Sequence, residues 1–347
     1  MINPLKRRDF IKTASAGTIG LGFTGKPHRL RDISQIFSRR VGIIGLDTSH
    51  CGAFTTALNN PDAGPEFGGY KVVAAYPKGS SEIKSSYERI PKYTEDAIKQ
   101  GVEIVKSIDE LLSKVDVVLL ETNDGRLHLE QVIPVLKAGK KVFIDKPIAA
   151  SLADAIAIFE ASAYYKVPLF SSSSLRYISG AREIKEGSVG KVLGADAYSP
   201  GTLEKTHPDL FWYGVHGVET LFTVMGTGCK SVVRTTVPNT DLVTGKWEDG
   251  RIGTFRGIRS GKADYGGIVY GEKGISVLGK YAGYAPLLIK IIEFFNTGIP
   301  PVTSEETLEI FTFMAAAEES KIRGGVQVNT EEVFQEAKES AVKTNFR

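Results

Sequence analysis

The chain has 347 residues, 42% of them hydrophobic and 24% charged, with a formal net charge of +3. That length suits roughly two domains of ordinary soluble composition. The charge is uneven: residues 1–40 carry nine basic and two acidic side chains, so the rest of the chain stands at −4 and argues against a nucleic-acid partner. No apolar run approaches the ~18 residues of a membrane span. Two cysteines, Cys51 and Cys229, are too few to define a disulfide framework or a metal site.

In chain order, Lys6-Arg7-Arg8-Asp9-Phe10-Ile11-Lys12 precedes a small, weakly apolar run over residues 13–25. A basic segment before an apolar one is an export pattern, and the paired arginines with Phe10 and Lys12 resemble the twin-arginine signal. Residues 1–38 are therefore expected to be signal and linker, and the protein to be periplasmic or otherwise exported. No stable membrane span is expected unless that signal stays uncleaved.

Residues 39–172 read as alternating strands and helices. Arg40 to Gly45, Tyr70 to Tyr76, Val115 to Glu121, Val142 to Ile144 and Val167 to Phe170 are apolar or β-branched runs that suit buried strands. Ser49 to Asn59 suits a helix. Leu129, Val132, Ile133 and Leu136 repeat at helical spacing before Gly139, and Leu152, Ala155, Ile156 and Phe159 do so after Ser151, a helix cap. Alternation of this kind predicts an α/β fold with a doubly wound parallel sheet of Rossmann type.

A dinucleotide fold asks for G-x-G-x-x-G after its first strand. Here Gly45-Leu46-Asp47-Thr48-Ser49-His50 keeps the first glycine alone. Gly45, Asp47, Thr48, Ser49 and His50 are the candidate loop residues: Asp47 puts a carboxylate where phosphates sit, His50 puts bulk at the packing position, and Ser49 is a candidate cap that leaves backbone N–H groups facing an anion. The second strand ends in Tyr76-Pro77-Lys78-Gly79-Ser80-Ser81, without the acid that holds the 2′-hydroxyl of NAD. Lys78 leans the reading toward NADP, and a solvated loop lysine explains it equally well.

The segment Asn123 … His128 … Ala138-Gly139-Lys140-Lys141-Val142-Phe143-Ile144-Asp145-Lys146-Pro147 resembles the Gfo/Idh/MocA oxidoreductases, relatives of glucose–fructose oxidoreductase and inositol dehydrogenase, with Asp145 where the family has Glu. Arg176-Tyr177 followed by residues 184–192, Gly214-Val215-His216, and Asp249 to Gly253 with Gly271 to Gly274 extend the likeness in order and spacing over most of the chain after residue 40. The resemblance implies that residues 173–347 form a second, α+β domain with a large, mostly antiparallel open sheet whose bare face makes homo-oligomers. Two features support that domain independently: Glu248-Asp249-Gly250 is a hairpin signal, and Thr303-x-x-Glu306 is a capping box opening a helix to about Arg323.

The resemblance also implies an NAD or NADP cofactor near Thr122, Asn123, His128, Asp145 and Lys146, and a small carbohydrate substrate. Lys146 and His216 would flank the reacting carbon, His216 as base and Lys146 as electrostatic partner. Trp212 stands where the family has an aspartate, four residues before the histidine. Tyr213 is a candidate proton relay, and Phe211, Trp212 and Tyr213 make either a wall for a sugar ring or part of the core. Glu219 is a candidate to orient His216. Arg176, His207 and Trp212 are candidate substrate contacts. His50, His128, His207 and His216 lack metal-ligand spacing, so no metal is expected. Three functions compete: an exported NAD(P)-dependent sugar or polyol oxidoreductase, an NAD-dependent glycosidase or lyase working by transient oxidation, and a non-catalytic carbohydrate-binding descendant.

Overall fold

The computed structural model describes residues 39–341; the expected signal and linker over residues 1–38 lie outside them. The strands are β1 (Arg40–Ile44), β2 (Lys71–Tyr76), β3 (Glu103–Ile104), β4 (Val117–Leu120), β5 (Val142–Ile144), β6 (Leu169–Ser171), β7 (Val192–Pro200), β8 (Cys229–Val237), β9 (Thr240–Trp247), β10 (Ile252–Ile258), β11 (Gly266–Gly271), β12 (Gly274–Leu278) and β13 (Val328–Asn329). The helices are α1 (Ser49–Asn59), α2 (Lys84–Tyr87), α3 (Ile90–Lys99), α4 (Ile108–Lys114), α5 (His128–Lys137), α6 (Leu152–Tyr165), α7 (Ala181–Lys185), α8 (Val215–Met225), α9 (Ala285–Thr297), α10 (Ser304–Ile322) and α11 (Thr330–Ala341).

The first sheet has the order β3-β2-β1-β4-β5-β6, and its pairs are all parallel. The runs Val117 to Leu120 and Val142 to Ile144 are buried throughout, as a sheet covered on both faces requires. Strand order reverses between β1 and β4, which opens a crevice at their carboxyl ends.

The second sheet has the order β12-β11-β7-β10-β9-β8-β13, antiparallel except for the β7–β10 pair. The expected hairpin joins β9 to β10. Gly250 sits there at φ 88°, a left-handed position that glycine takes without steric cost. Helix α8 covers the inner face, with Gly217 against it: a Cβ there would lie 2.3 Å from Phe255 and 2.8 Å from Ser199 Oγ. On the outer face Ile252, Ile268, Tyr270, Ile275 and Val277 are exposed.

The boundary expected at 172/173 falls between the last strand of the first sheet and the first strand of the second, and one buried cluster draws on both sheets, from Leu120 and Ile144 to Val243 and Phe255. Helix α9 returns to the first sheet. It lies beyond the second sheet in sequence, yet Leu287, Ile291, Phe294 and Phe295 join Val41, Leu119, Phe143 and Phe170 in the first sheet's core. The capping box is half formed. Thr303 Oγ1 accepts the Glu306 N–H at 3.2 Å, while the Glu306 carboxylate accepts from Arg176 Nη1 at 2.7 Å. A buried guanidinium outcompetes a helix end for that carboxylate.

Candidate active site

A cavity of about 290 Å³ lies between the carboxyl ends of the first sheet and helix α8. Thr48, Ser49 and His50 reach it from the start of α1, Asn123 from the end of β4, and Lys146 from the end of β5. Trp212, Tyr213 and His216 face them from a π-helical turn over residues 210–214 and the first turn of α8. Tyr265, Tyr281 and Tyr284 close the rim. The Lys146–Pro147 peptide is cis.

His216 is buried, and its Nδ1 lies 2.7 Å from Ser173 Oγ. Burial pushes its pKa well below the usual histidine value, and the positive charge of Lys146 adds to that, so the ring is neutral at pH 7. Glu219 acts one step back: its carboxylate accepts the Ser173 N–H and the Ser172 hydroxyl, each at 2.7 Å, and Arg176 Nε at 2.8 Å. The expected link from Glu219 to the imidazole therefore runs through Ser173.

Under the cavity floor, His50 Nδ1 is 2.8 Å from Asp145 Oδ1 and 3.9 Å from Glu121 Oε2. Burial raises the Glu121 pKa well above the carboxylate range, and Asp145 adds to it. Burial also works to raise that of Asp145, but His50 and Lys146 outweigh it and hold that carboxyl below its usual value. Two neighbouring carboxyls are thus driven apart in acidity.

Several residues expected at the site stand elsewhere. Arg176 is locked between Glu219 and Glu306, because a buried guanidinium needs paired carboxylates, and it does not line the cavity. His128 is fully buried, with Nε2 2.6 Å from Thr122 O and Nδ1 3.1 Å from Ile148 O; the neutral ring donates to one of these carbonyls, and both nitrogens face them and not the cavity. His207 lies behind the wall, its ring 5.0 Å from that of Trp212 and its Nε2 3.6 Å from Asp124 Oδ1. The aromatic triplet divides: Trp212 and Tyr213 face the cavity, while Phe211 packs on Phe311 in the core. Thr48 is the N-cap residue of α1, and Ser49 instead bonds Tyr284 OH at 2.9 Å. Lys78 lines a separate cleft of about 440 Å³ with Tyr76, Gly79, Ser107 and Gln131.

Asp47 faces away from both clefts. Its carboxylate accepts the N–H groups of Asn123 at 3.0 Å and Ser80 at 3.3 Å, and the Ser86 hydroxyl. Ser80 Oγ in turn donates to Asp124 Oδ2 at 2.7 Å. A β-carbon on Gly79 would come within 1.9 Å of the Asp47 carboxylate. These bonds strap segment 79–89 across the crevice between β1 and β4, and Ser85 and Arg89 of that segment reach the cavity. Sequence reasoning missed Ser173, Arg89, Glu121 and the three rim tyrosines. The serine run 171–174 at a strand's carboxyl end was the one available signal; the tyrosines fall in no periodic element.

The sheet order and the crevice are those of a Rossmann fold, and one comparison agrees. Residues 39–172 match the Gfo/Idh/MocA model, described as an oxidoreductase family with an NAD-binding Rossmann fold. The chain is 35% identical over 130 residues to inositol 2-dehydrogenase 3 of Saccharopolyspora erythraea (35% of this chain, 37% of the relative). It is 32% identical over 125 residues to 1,5-anhydro-D-fructose reductase of Ensifer adhaerens (34% and 36%). The match thus spans about a third of these curated relatives' length. Over both sheets, the chain has the fold of scyllo-inositol dehydrogenase from Lactobacillus casei, solved with NAD(H) and scyllo-inositol (TM-score 0.67, 15% identity, 85% of this chain and 100% of that one). Myo-inositol 2-dehydrogenase from Lactobacillus plantarum shares it too (TM-score 0.68, 16% identity, 84% and 98%).

The Rossmann domain fits the ends of a dinucleotide better than its middle. Gly45, at φ 88°, brings the loop after β1 so close to β4 that a Cβ would lie 2.5 Å from Thr122 N, the close approach such folds need. Thr48 leaves the first N–H groups of α1 without a side-chain cap, which suits a phosphate. The two clefts stand on either side of the switch point, and between them the Asp47–Ser80–Asp124 strap fills the groove.

Proposed function

We propose that the protein is an NAD(P)-dependent oxidoreductase acting on a hydroxyl of a sugar or polyol. One observation carries the reading: Lys146 from the Rossmann sheet and the neutral, buried His216 from α8 line one cavity at the switch point. Bound NAD(P) would supply the acceptor for the hydride leaving the substrate carbon. Thr48, Ser49 and Asn123 would hold its nearer half, and Lys78 its ribose end, with NADP favoured over NAD. His216, with Nδ1–H donating to Ser173 Oγ, keeps Nε2 for the hydroxyl proton. The Lys146 ammonium stabilises the alkoxide that forms as that proton leaves. Trp212 offers a flat face for the sugar ring, and the rim tyrosines offer hydroxyls. The sugar or polyol class is supported by the names of the curated relatives that match about a third of the chain.

The protein-filled middle of the groove favours a second reading, a carbohydrate-binding descendant without redox turnover. One experiment separates them. Denaturing the purified protein, and titrating it with NAD(H) and NADP(H), should reveal bound or binding cofactor; a blank in both leaves the second reading. With cofactor present, Lys146→Ala and His216→Ala should each lower kcat by about 10²–10⁴-fold. Retained turnover in both would refute the assignment.

The reading includes export and self-association. Changing Arg7 and Arg8 to lysine should keep a reporter fused behind residues 1–38 inside the cell. The exposed apolar row on β10, β11 and β12 supports a homo-oligomer. A Val277→Lys, Ile275→Glu double variant should reduce the mass measured by light scattering to that of one chain.

A further inference from the structure

We propose that His50, Glu121 and Asp145 form a site for one divalent transition-metal ion under the floor of the cavity. His50 belongs to the first turn of α1, Glu121 directly follows β4 and Asp145 directly follows β5. The three residues therefore converge where the carboxyl ends of β1, β4 and β5 meet. One donor atom from each lies within 4.8 Å of the others, and all three residues are buried. Metal–donor bonds of about 2.0–2.2 Å place donor atoms roughly 3–4 Å apart. Side-chain movements of a fraction of an ångström would close the set around an ion.

A second observation points to a ligand. Both oxygens of Glu121 and Oδ2 of Asp145 are buried and have no hydrogen-bond partner. Lys146 Nζ stands 4.0 Å from Asp145 Oδ2, beyond hydrogen-bond reach. Buried carboxylate oxygens are ordinarily paired, because leaving them bare costs kilocalories in lost solvation. Three oxygens without a hydrogen bond, on two buried carboxyls beside one imidazole, are acceptors that a cation would satisfy.

The donor chemistry selects the ion. Two carboxylates balance a doubly charged ion, and a neutral imidazole adds a nitrogen that suits Zn²⁺, Mn²⁺ or Fe²⁺ better than Mg²⁺ or Ca²⁺. On binding, His50 would lose the Nδ1 proton it directs at Asp145 and Glu121 its carboxyl proton, both released to solvent, so that Nδ1 offers a lone pair and both carboxylates offer oxygens to the ion. Three protein ligands leave coordination positions free, as in catalytic metal sites. His50, Asn123 and Lys146 line the cavity, so those positions open toward it. The site would take water or an oxygen of a hydroxylated or carbonyl substrate there. This inference goes beyond the redox reading and does not depend on a nicotinamide.

The test uses the full chain without a histidine tag, stripped with EDTA, dialysed, and titrated with Co²⁺ in the absence of NAD(P) and sugar. The expected result is one equivalent bound, visible d–d bands, and a raised melting temperature. Glu121→Gln and His50→Gln should each weaken binding at least 100-fold, while Glu305→Gln, on the exposed side of α10, should bind as the parent does. Absence of stoichiometric binding, or parent-like binding by both site variants, would overturn the proposal. X-ray absorption at the cobalt edge of the parent protein gives a check independent of the variants' folding. A shell of oxygens with one imidazole supports the site; sulfur or several imidazoles refutes it. Co²⁺ bound without turnover would count against the redox reading alone, and turnover in EDTA without Co²⁺ binding against the metal alone.

Discussion

At the scale of single residues, the site depends on a chain of contacts that begins far from the cavity. Glu306 and Glu219 hold Arg176, Glu219 holds the backbone of Ser173, and the Ser173 hydroxyl holds His216. Ser173 is thus a positioning residue. Ser173→Ala should lower kcat about 10–100-fold with little change in KM. The acid limb of the pH–rate profile should also move, which a merely structural loss would not produce; an unchanged limb would remove Ser173 from this role. His128 allows a stability test with a defined sign. Burial holds its pKa below the usual 6.5, against the pull of two carbonyls. As pH falls below about 6.5, the unfolded chain takes up the proton first, so the stability supplied by this neutral ring is complete above that pH and lost below it. Urea unfolding of the parent and of His128→Gln should therefore show a gap that narrows from pH 7.5 to pH 5.5. These contacts were only partly legible in the sequence. Lys146 and His216 were named from motifs, whereas the carboxylates that hold Arg176 and the carbonyls that face His128 were not legible, because a motif records a residue type and not which buried partner claims it.

At the scale of elements, segment 79–89 and helix α8 set the shape of the site. The segment is held by Ile83 in the core and by hydrogen bonds from Ser80 and Ser86. If it must open for a dinucleotide, each closing bond lowers apparent affinity. Ser86→Ala removes one such bond, worth about 1 kcal/mol, so the Kd for NAD(P)H should fall about fivefold in a fluorescence titration. A weaker Kd would show that the segment holds the cofactor and does not exclude it. Helix α8 needs Gly217 to lie close to Phe255 and Ser199. Gly217→Ala should cost about 1–3 kcal/mol in denaturant unfolding and shift His216 off Ser173. Helices α5 and α6 were readable from periodicity and caps, but α8 and the short helix α2 of segment 79–89 were not. Nor was the strap across the groove, since Asp47 and Ser80 are 33 residues apart and no local rule pairs them.

At the scale of the whole molecule, one buried core draws on both sheets, and helix α9 returns from beyond the second sheet to pack on the first. Phe294 is buried against Phe170, with ring centroids 5.0 Å apart, so Phe294→Ala should cost about 3–5 kcal/mol. Both tryptophans, Trp212 and Trp247, lie in the other half of the chain. If that core is cooperative, their fluorescence and the circular dichroism should shift together in a single transition. Two separated transitions would show that the sheets unfold independently. The sequence by itself determined the parallel sheet, five of its six strands (all but β3), the hairpin at Gly250, and the placing of Lys146 at a strand's carboxyl end. Those features follow from local periodicity, turn chemistry and strand polarity. Only the tertiary structure decided that α9 returns to the first sheet, that Glu219 reaches His216 through Ser173, that Asp47 straps the groove, and that His50, Glu121 and Asp145 meet. Each of these is a competition among distant polar or apolar groups for a buried partner, and the outcome is fixed by packing in three dimensions.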